Sequence, residues 1–535
     1  MKKVLIVGVG LSGLTCAIKL AELGIKSTIV SPFASERSQS VMAAGGINAS
    51  LGKDDNVSLH IEDTFNGGCK IDDLDAIKEL CENAPSIISW LESLGTAFSR
   101  DKDNNVALRP FGGQSKNRTA YAGASTGKQI MTALINEARK YEVKGLIERK
   151  FGRYFYSALI NEGSCYGALF FNDITNEMEL ELADYLVVAT GGQNALFGKT
   201  TGSTLCDGYV AGKLFTQGVV LRNLEFIQYH PTTIETSQKR MLISEACRGE
   251  GGRLYYLHEG QRVYFMEDLY GPKGNLMPRD IVSKHIYDAP SQVYLDISFL
   301  GKEVINKKLS EVKDLCGKYL GLDVTKESIP VYPSVHFFMG GLAVDNNHQT
   351  NVNRLYAIGE CASIYHGANR LGGNSLLAAI RGGYVAASSI SKEETILDIP
   401  DFSKVLEDEK NKLVSQIEST SKISAYKVRQ EIAHIMDESL GIVRNEDKII
   451  KGIKEVESYI DVCEKSLLDN DTYYMNYSLN ALLVLAKAIL VSALNRKESR
   501  GSHIREDYPT TLEEYCRPTY IKYMDGKYEV SYIKE

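Results

Sequence analysis

Four consecutive aliphatic residues, Val4 to Val7, run into a turn with glycines at 8, 10 and 13, and this junction constrains the fold more than any other feature. A helical pattern follows to Leu23, Gly24 stops it, and Ser27-Thr28-Ile29-Val30 reads as the next strand. The unit is βαβ. Gly8, Gly10 and Gly13 suit a dinucleotide pyrophosphate, which needs a tight turn, close backbone approach and the positive end of a helix. The acid that usually grips a ribose at the end of the second strand is replaced by Ser31, against a plain NAD reading.

Two later runs have the same character. Tyr185 to Val188 leads into Ala189-Thr190-Gly191-Gly192, and Leu355 to Ile358 leads into Gly359-Glu360, as expected of buried parallel strands ending at a cofactor crevice. At 535 residues the chain exceeds what one core usually serves. Lys plus Arg is 61 against 68 for Asp plus Glu, so no overall positive field recruits nucleic acid, and an anionic ligand needs a local cluster of cations. The 10 cysteines include no Cys-x-x-Cys pair, which disfavours a disulfide framework, zinc finger or iron-sulfur cluster and points to a reducing cytoplasm. Met1, Lys2 and Lys3 enter the first strand directly, without the pattern of a secretory signal. The most apolar later stretch, Leu479 to Leu494, is interrupted by Asn480 and Lys487 and falls short of the ~20 residues that span a bilayer. It reads as a core helix, so membrane attachment would go through a partner.

The segment Arg37-Ser38-Gln39-Ser40-Val41-Met42-Ala43-Ala44-Gly45-Gly46 resembles the flavin-contacting stretch of the succinate dehydrogenase and fumarate reductase flavoprotein family, which includes L-aspartate oxidase. The similarity continues in the family's order through Arg109 to Gly113, Cys206-Asp207-Gly208, Glu225 to Thr232, Ser244 to Gly252, Pro278-Arg279-Asp280, His336 to Gly341, His366 to Leu376 and Arg496 to His503. The resemblance implies an α/β fold with a glutathione-reductase-like FAD-binding domain in two segments, 1–229 and 336–397. It also implies an inserted α+β capping domain at 230–335, a helical domain at 398–500 and a tail at 501–535. FAD contacts implied alongside the glycine turn and Ser31 are Ser38, Gln39, Ser40, Ala44, Gly45 and Gly46, then Ala189, Thr190 and Gly191. Asp207, Glu360, Arg370, Ser375 and Leu376 match further FAD-lining positions. Gln39 occupies the place of the His that carries the covalent flavin link in the membrane-complex enzymes. An amide cannot make that bond, so noncovalent FAD is expected.

Reducing the double bond of fumarate needs a hydride from flavin N5 at one carbon, a proton at the other, and cations on both carboxylates. By resemblance His230, Ser244, His336 and Arg370 hold the dicarboxylate, while Arg279 donates the proton and is resupplied through Glu245 and Arg248. L-aspartate oxidase is the neighbouring specificity. It places a Glu before the paired glycines to meet the substrate ammonium, where this chain has Phe111 in Arg109-Pro110-Phe111-Gly112-Gly113. The phenyl ring favours fumarate and succinate, and the missing covalent link favours the reductive direction. No metal site is expected, and electrons would come from an iron-sulfur subunit or a diffusible carrier.

Overall fold

A computed structural model describes residues 2–236, 239–395, 398–417, 422–465, 467–468 and 473–533. The expected boundary at 397/398 touches residues outside the described ones. Five parallel strands form the central sheet, in the order Leu355–Ala357, Tyr185–Val188, Lys3–Val7, Lys26–Ser31 and Ile147–Phe151. Val4 pairs with Tyr185 and Val187 with Tyr356, so the apolar runs read from sequence become neighbours. Both faces of such a sheet are covered, which is why these strands are apolar throughout rather than alternating. The helices Leu11–Glu22 and Asn374–Lys392 pack closely over it, and a Cβ at Gly383 would lie 2.9 Å from the Cys16 amide nitrogen. An antiparallel meander, Arg153–Asn161, Ser164–Asn172 and Glu177–Leu182, extends the same core.

Between 234 and 331 the chain builds a second apolar core, with Ile243, Leu254, Met266, Val282, Leu295 and Ile329 fully or almost fully buried. The antiparallel strands Ile227–Glu235 and Tyr332–Phe338 carry the chain into and out of that core and pair with each other. His230 lies opposite Ser334 within that pair, and the register shifts on either side of the Tyr229–His230 step. The boundaries expected at 229/230 and 335/336 therefore fall inside one paired ribbon.

The core helix expected over Leu479 to Leu494 spans Tyr473–Asn495, 23 residues, so it is longer than its apolar stretch suggests. By length and composition it could cross a membrane, contrary to the sequence reading, but its most apolar window is 72% buried inside the fold. A Cβ at Gly212 would lie 2.3 Å from the Ala481 carbonyl oxygen, so the helix Tyr209–Thr216 approaches it closely. The tail is built in: the hairpin Tyr520–Met524 and Lys527–Ser531 pairs with Leu221–Arg222. Buried Arg496 bonds Glu225 at 2.6 Å, Glu498 at 2.8 Å and the Thr519 hydroxyl at 2.8 Å, fastening that arrangement.

Candidate active site

One elongated cavity lies at the carboxyl ends of the parallel strands. Gly8 has φ of +115°, and a Cβ there would lie 2.3 Å from the Ala189 carbonyl oxygen; one at Gly13 would lie 2.1 Å from that of Gly8. These two glycines serve close chain packing. Gly10 differs, because the nearest atom to a Cβ there is the Ser40 hydroxyl at 3.5 Å, and it caps its helix without a side-chain partner. The Leu11 amide at that helix end donates to the Ser40 hydroxyl at 3.2 Å, and no carboxylate or other charged side chain caps it, so its positive end can face an anion. The nearby Ser38 hydroxyl is buried with no protein partner. A second helix, Asn374–Lys392, begins at the cavity with Gly373 at φ +88° and again without a side-chain cap; Ser375 and Leu376 line the wall there. This cradle fits FAD.

The other end of the cavity holds a buried cluster of cations. Glu245 accepts from Arg279 Nε at 2.9 Å and Nη2 at 2.6 Å, and from the Gly112 amide at 2.8 Å. Arg248 Nη2 lies 3.3 Å from the same carboxylate, while its Nη1 donates to the Asn275 carbonyl at 2.7 Å. Gln228 ties this group to Arg370: its Oε1 accepts from Arg279 Nη1 and Arg370 Nη2, both at 3.0 Å. The Gln228 amide group donates to Asn369 Oδ1 and the Arg370 carbonyl, each at 2.7 Å, fixing its orientation. Arg370 rests 4.2 Å above the Phe337 ring, and its Nε is buried without a partner. No carboxylate pairs with Arg370 among the described residues.

The imidazoles of His230 and His336 sit edge to face, 5.1 Å apart. Nδ1 of His336 meets the Thr201 hydroxyl at 2.8 Å, and Nδ1 of His230 meets the Thr232 carbonyl at 3.0 Å and amide at 3.2 Å. Burial, with Arg279 and Arg370 nearby, pushes both rings well below the usual histidine range, so they are neutral at pH 7. Burial also works against the charge on Glu245, but Arg279 and Arg248 outweigh it and hold the carboxyl at about 2. The cluster is thus three arginines against one carboxylate, an excess of positive charge matched to a dianion. Glu360, on the cofactor side, is pushed up to about 7 by burial, against the pull of the Phe338 amide and Arg370.

Every residue singled out from sequence lines this cavity except Gly13, which packs against Gly8, and Arg248, which stands behind Glu245. The Phe111 ring lies against Gly45, where a Cβ would come within 3.1 Å of it. Sequence reasoning gave Gln228 no role, and missed Thr201 and the Gly112 amide. The sequence showed only the Gly112-Gly113 pair; the structure gives its reason, since a Cβ at Gly112 would lie 2.6 Å from Glu245 Oε1.

Comparison with known proteins agrees with this arrangement. The family described as FAD binding domain matches residues 3–376, and the one described as Fumarate reductase flavoprotein C-term matches 429–534. The succinate dehydrogenase flavoprotein subunit of Bacillus subtilis is 36% identical over 97% of this chain and 94% of its own length. A fumarate reductase (CoM/CoB) subunit of Methanothermobacter marburgensis is 33% identical over 96% of each chain. A solved structure of E. coli quinol fumarate reductase FrdA carrying an E245Q mutation superposes with a TM-score of 0.88 at 28% identity, over 99% of this chain and 97% of that one. With the FAD cradle and its adjoining cation cluster, these matches show that the chain belongs to the succinate dehydrogenase and fumarate reductase flavoprotein family, FAD-dependent oxidoreductases that act on CH–CH bonds.

Proposed function

We propose that this chain interconverts fumarate and succinate and works mainly as a fumarate reductase with noncovalently bound FAD. The observation that carries the reading is the cluster of Arg279 and Arg370, with Arg248 behind, against the single carboxylate Glu245, at a cavity shared with the cofactor cradle. A dicarboxylate brings the missing negative charge. With Nδ1 of His336 accepting from the Thr201 hydroxyl, its Nε2–H is left to donate to one substrate carboxylate, beside His230 and Ser244. Arg370, with no carboxylate of its own, takes the other and polarises the alkene. FAD, when bound, supplies the hydride.

Arg279 delivers the proton to the second carbon. Arginine is a weak acid, with an ordinary pKa above ~12, and transfer relies on its being held at the reacting atom in a dry site. Glu245, bonded to it through two nitrogens, returns the proton, and Arg248 behind Glu245 connects onward. Residues 230–335 act as a cap that excludes water while this happens. Phe111 presents a ring where an amino-acid substrate would need a carboxylate for its ammonium, which favours fumarate over L-aspartate.

Gln39 lines the cavity at the position of the flavin-linking His, and among the described residues the only histidines lining it are His230 and His336. The relatives are named as subunits, and we assign electron delivery to a separate iron-sulfur protein, through which any membrane association would arise.

The test is anaerobic. The FAD-loaded chain is reduced chemically and mixed with fumarate, and the oxidised form is mixed separately with L-aspartate, while flavin absorbance is followed. Fast reoxidation by fumarate with no reduction by L-aspartate is expected; reduction by L-aspartate overturns the substrate assignment. Acid precipitation is expected to release the flavin into the supernatant.

A further inference from the structure

The cavity continues past the glycine turn. Beyond Ser31 it runs by Phe33 to Tyr154, Asp207 and Tyr474, and the last of these belongs to the C-terminal helix Tyr473–Asn495. Tyr474 is held firmly there. Its ring lies on that of Tyr154, 4.4 Å between centroids and tilted by 32°, and Tyr154 meets Phe33 edge to face at 6.2 Å. Its phenol donates to Asp207 Oδ2 at 2.5 Å, and Arg429, from the helix Ala425–Ser439, donates to the same oxygen at 3.2 Å. The other oxygen, Oδ1, accepts from the Tyr209 amide at 3.0 Å.

In most dinucleotide sites a carboxylate at the end of the second strand grips the ribose of the nucleoside half. Ser31 stands there instead, and its hydroxyl accepts from the Phe33 amide at 3.3 Å. The nucleoside end therefore lacks its usual acid. What lines it is an aromatic wall and a carboxylate from another part of the chain, with both the wall and the carboxylate held by the C-terminal helices.

The geometry points to Tyr474 as a binding residue for the adenosine half of FAD: the Tyr154–Tyr474 pair walls that half with ring surface, and the Tyr474 hydroxyl sets the position of Asp207 beside it. Cofactor binding and the seating of the helix Tyr473–Asn495 are then one coupled equilibrium, so adenosine favours the seated helix and loosening the helix weakens FAD. This rests on FAD as the cofactor and is independent of the substrate.

The test uses the full chain freed of FAD and titrated with FAD, ADP and FMN, the last two probing one half of the cofactor each. Tyr474→Ala removes the ring that packs on Tyr154 and the bond that sets Asp207, and is expected to weaken ADP and FAD by about tenfold while leaving FMN within about twofold. Tyr474→Phe keeps the ring and loses the bond to Asp207, and is expected to weaken both by less. ADP and FAD affinities unchanged in Tyr474→Ala overturn the inference, and so does an equal loss of FMN, which would mark a change of the whole cavity rather than of one end. Hydrogen exchange on the unsubstituted chain does not depend on any variant folding. ADP is expected to protect the first turns of Tyr473–Asn495 and the Arg429 helix, and bound ADP without that protection overturns the coupling.

Discussion

Glu245→Gln removes the one negative charge from the arginine cluster while keeping its volume. The carboxylate now accepts hydrogen bonds from the Gly112 amide and two Arg279 nitrogens, and forms an ion pair with Arg248 Nη2 at 3.3 Å. An amide offers one acceptor and one donor, so some N–H of the cluster must face another N–H whichever way it turns. The fall of the Glu245 carboxyl from 4.5 to about 2 is equivalent to about 3 kcal/mol. That is the lower end of the ~3–5 kcal/mol typical of removing one partner from a buried pair. Because the folded-state value is depressed, this contribution is complete above pH 4.5 and is lost as pH falls towards 2. Denaturant unfolding should therefore show a gap of about 3 kcal/mol between the chain and the variant at pH 7, closing across that window. Kinetically the return of the proton fails, and kcat is expected to fall by about 10²- to 10⁴-fold. Affinity for malonate, an unreactive dicarboxylate, should not weaken, since the cluster becomes three cations with no opposing carboxylate. An undiminished kcat, or a loss of malonate binding as large as the loss of kcat, would refute the roles given to Glu245.

Gly10→Ala should fold and bind FAD more weakly, because its Cβ meets the protein only in ordinary contact, the Ser40 hydroxyl at 3.5 Å and Ser38 Cβ at 3.9 Å; Gly8→Ala should be poorly folded, with its Cβ 2.3 Å from the Ala189 carbonyl oxygen. Circular dichroism and flavin titration separate the two outcomes. Gly112→Ala places a Cβ 2.6 Å from Glu245 Oε1 and 2.8 Å from the Met277 carbonyl oxygen, and should lower kcat while FAD affinity holds, as read by steady-state rates and flavin fluorescence. Burial raises Glu360 from 4.5 to about 7, so without FAD the chain loses stability as pH rises from 4.5 through 7. Glu360→Gln should abolish that loss, gaining about 3 kcal/mol relative to the unsubstituted chain above pH 7, measured by denaturant unfolding at pH 5 and pH 8.

The parallel sheet was legible because its signals are local. Val4 to Val7, Tyr185 to Val188 and Leu355 to Ala357 are each apolar without alternation and each run into small residues, and they pair side by side. The cluster was legible only through resemblance, since His230, Glu245, Arg279, His336 and Arg370 lie on separate segments and no periodicity brings them together. Contacts that depend on a third element left no trace of this kind. Gln228 bridges two arginines only after the ribbon Ile227–Glu235, the helix Arg279–Asp288 and the Arg370 turn have packed. The length of the C-terminal helix was underestimated because its first turns, Tyr473 to Ser478, mix aromatic and polar residues and continue no aliphatic run, and they are held by partners elsewhere in the fold.

The ribbon made by Ile227–Glu235 and Tyr332–Phe338 carries His230 and His336 at the place where the second core leaves the nucleotide sheet. A swing of residues 234–331 about that ribbon would leave the two imidazoles almost in place, because they lie near the pivot. Arg279 and Glu245 would travel, parting from Arg370 across the Gln228 bridge. The catalytic group would then be assembled only in the closed state, where three crowded cations resist being brought together. A dianion lodged among them reverses that repulsion, so the substrate's own charge becomes the force that shuts the enzyme, and a neutral or singly charged analogue would leave it ajar.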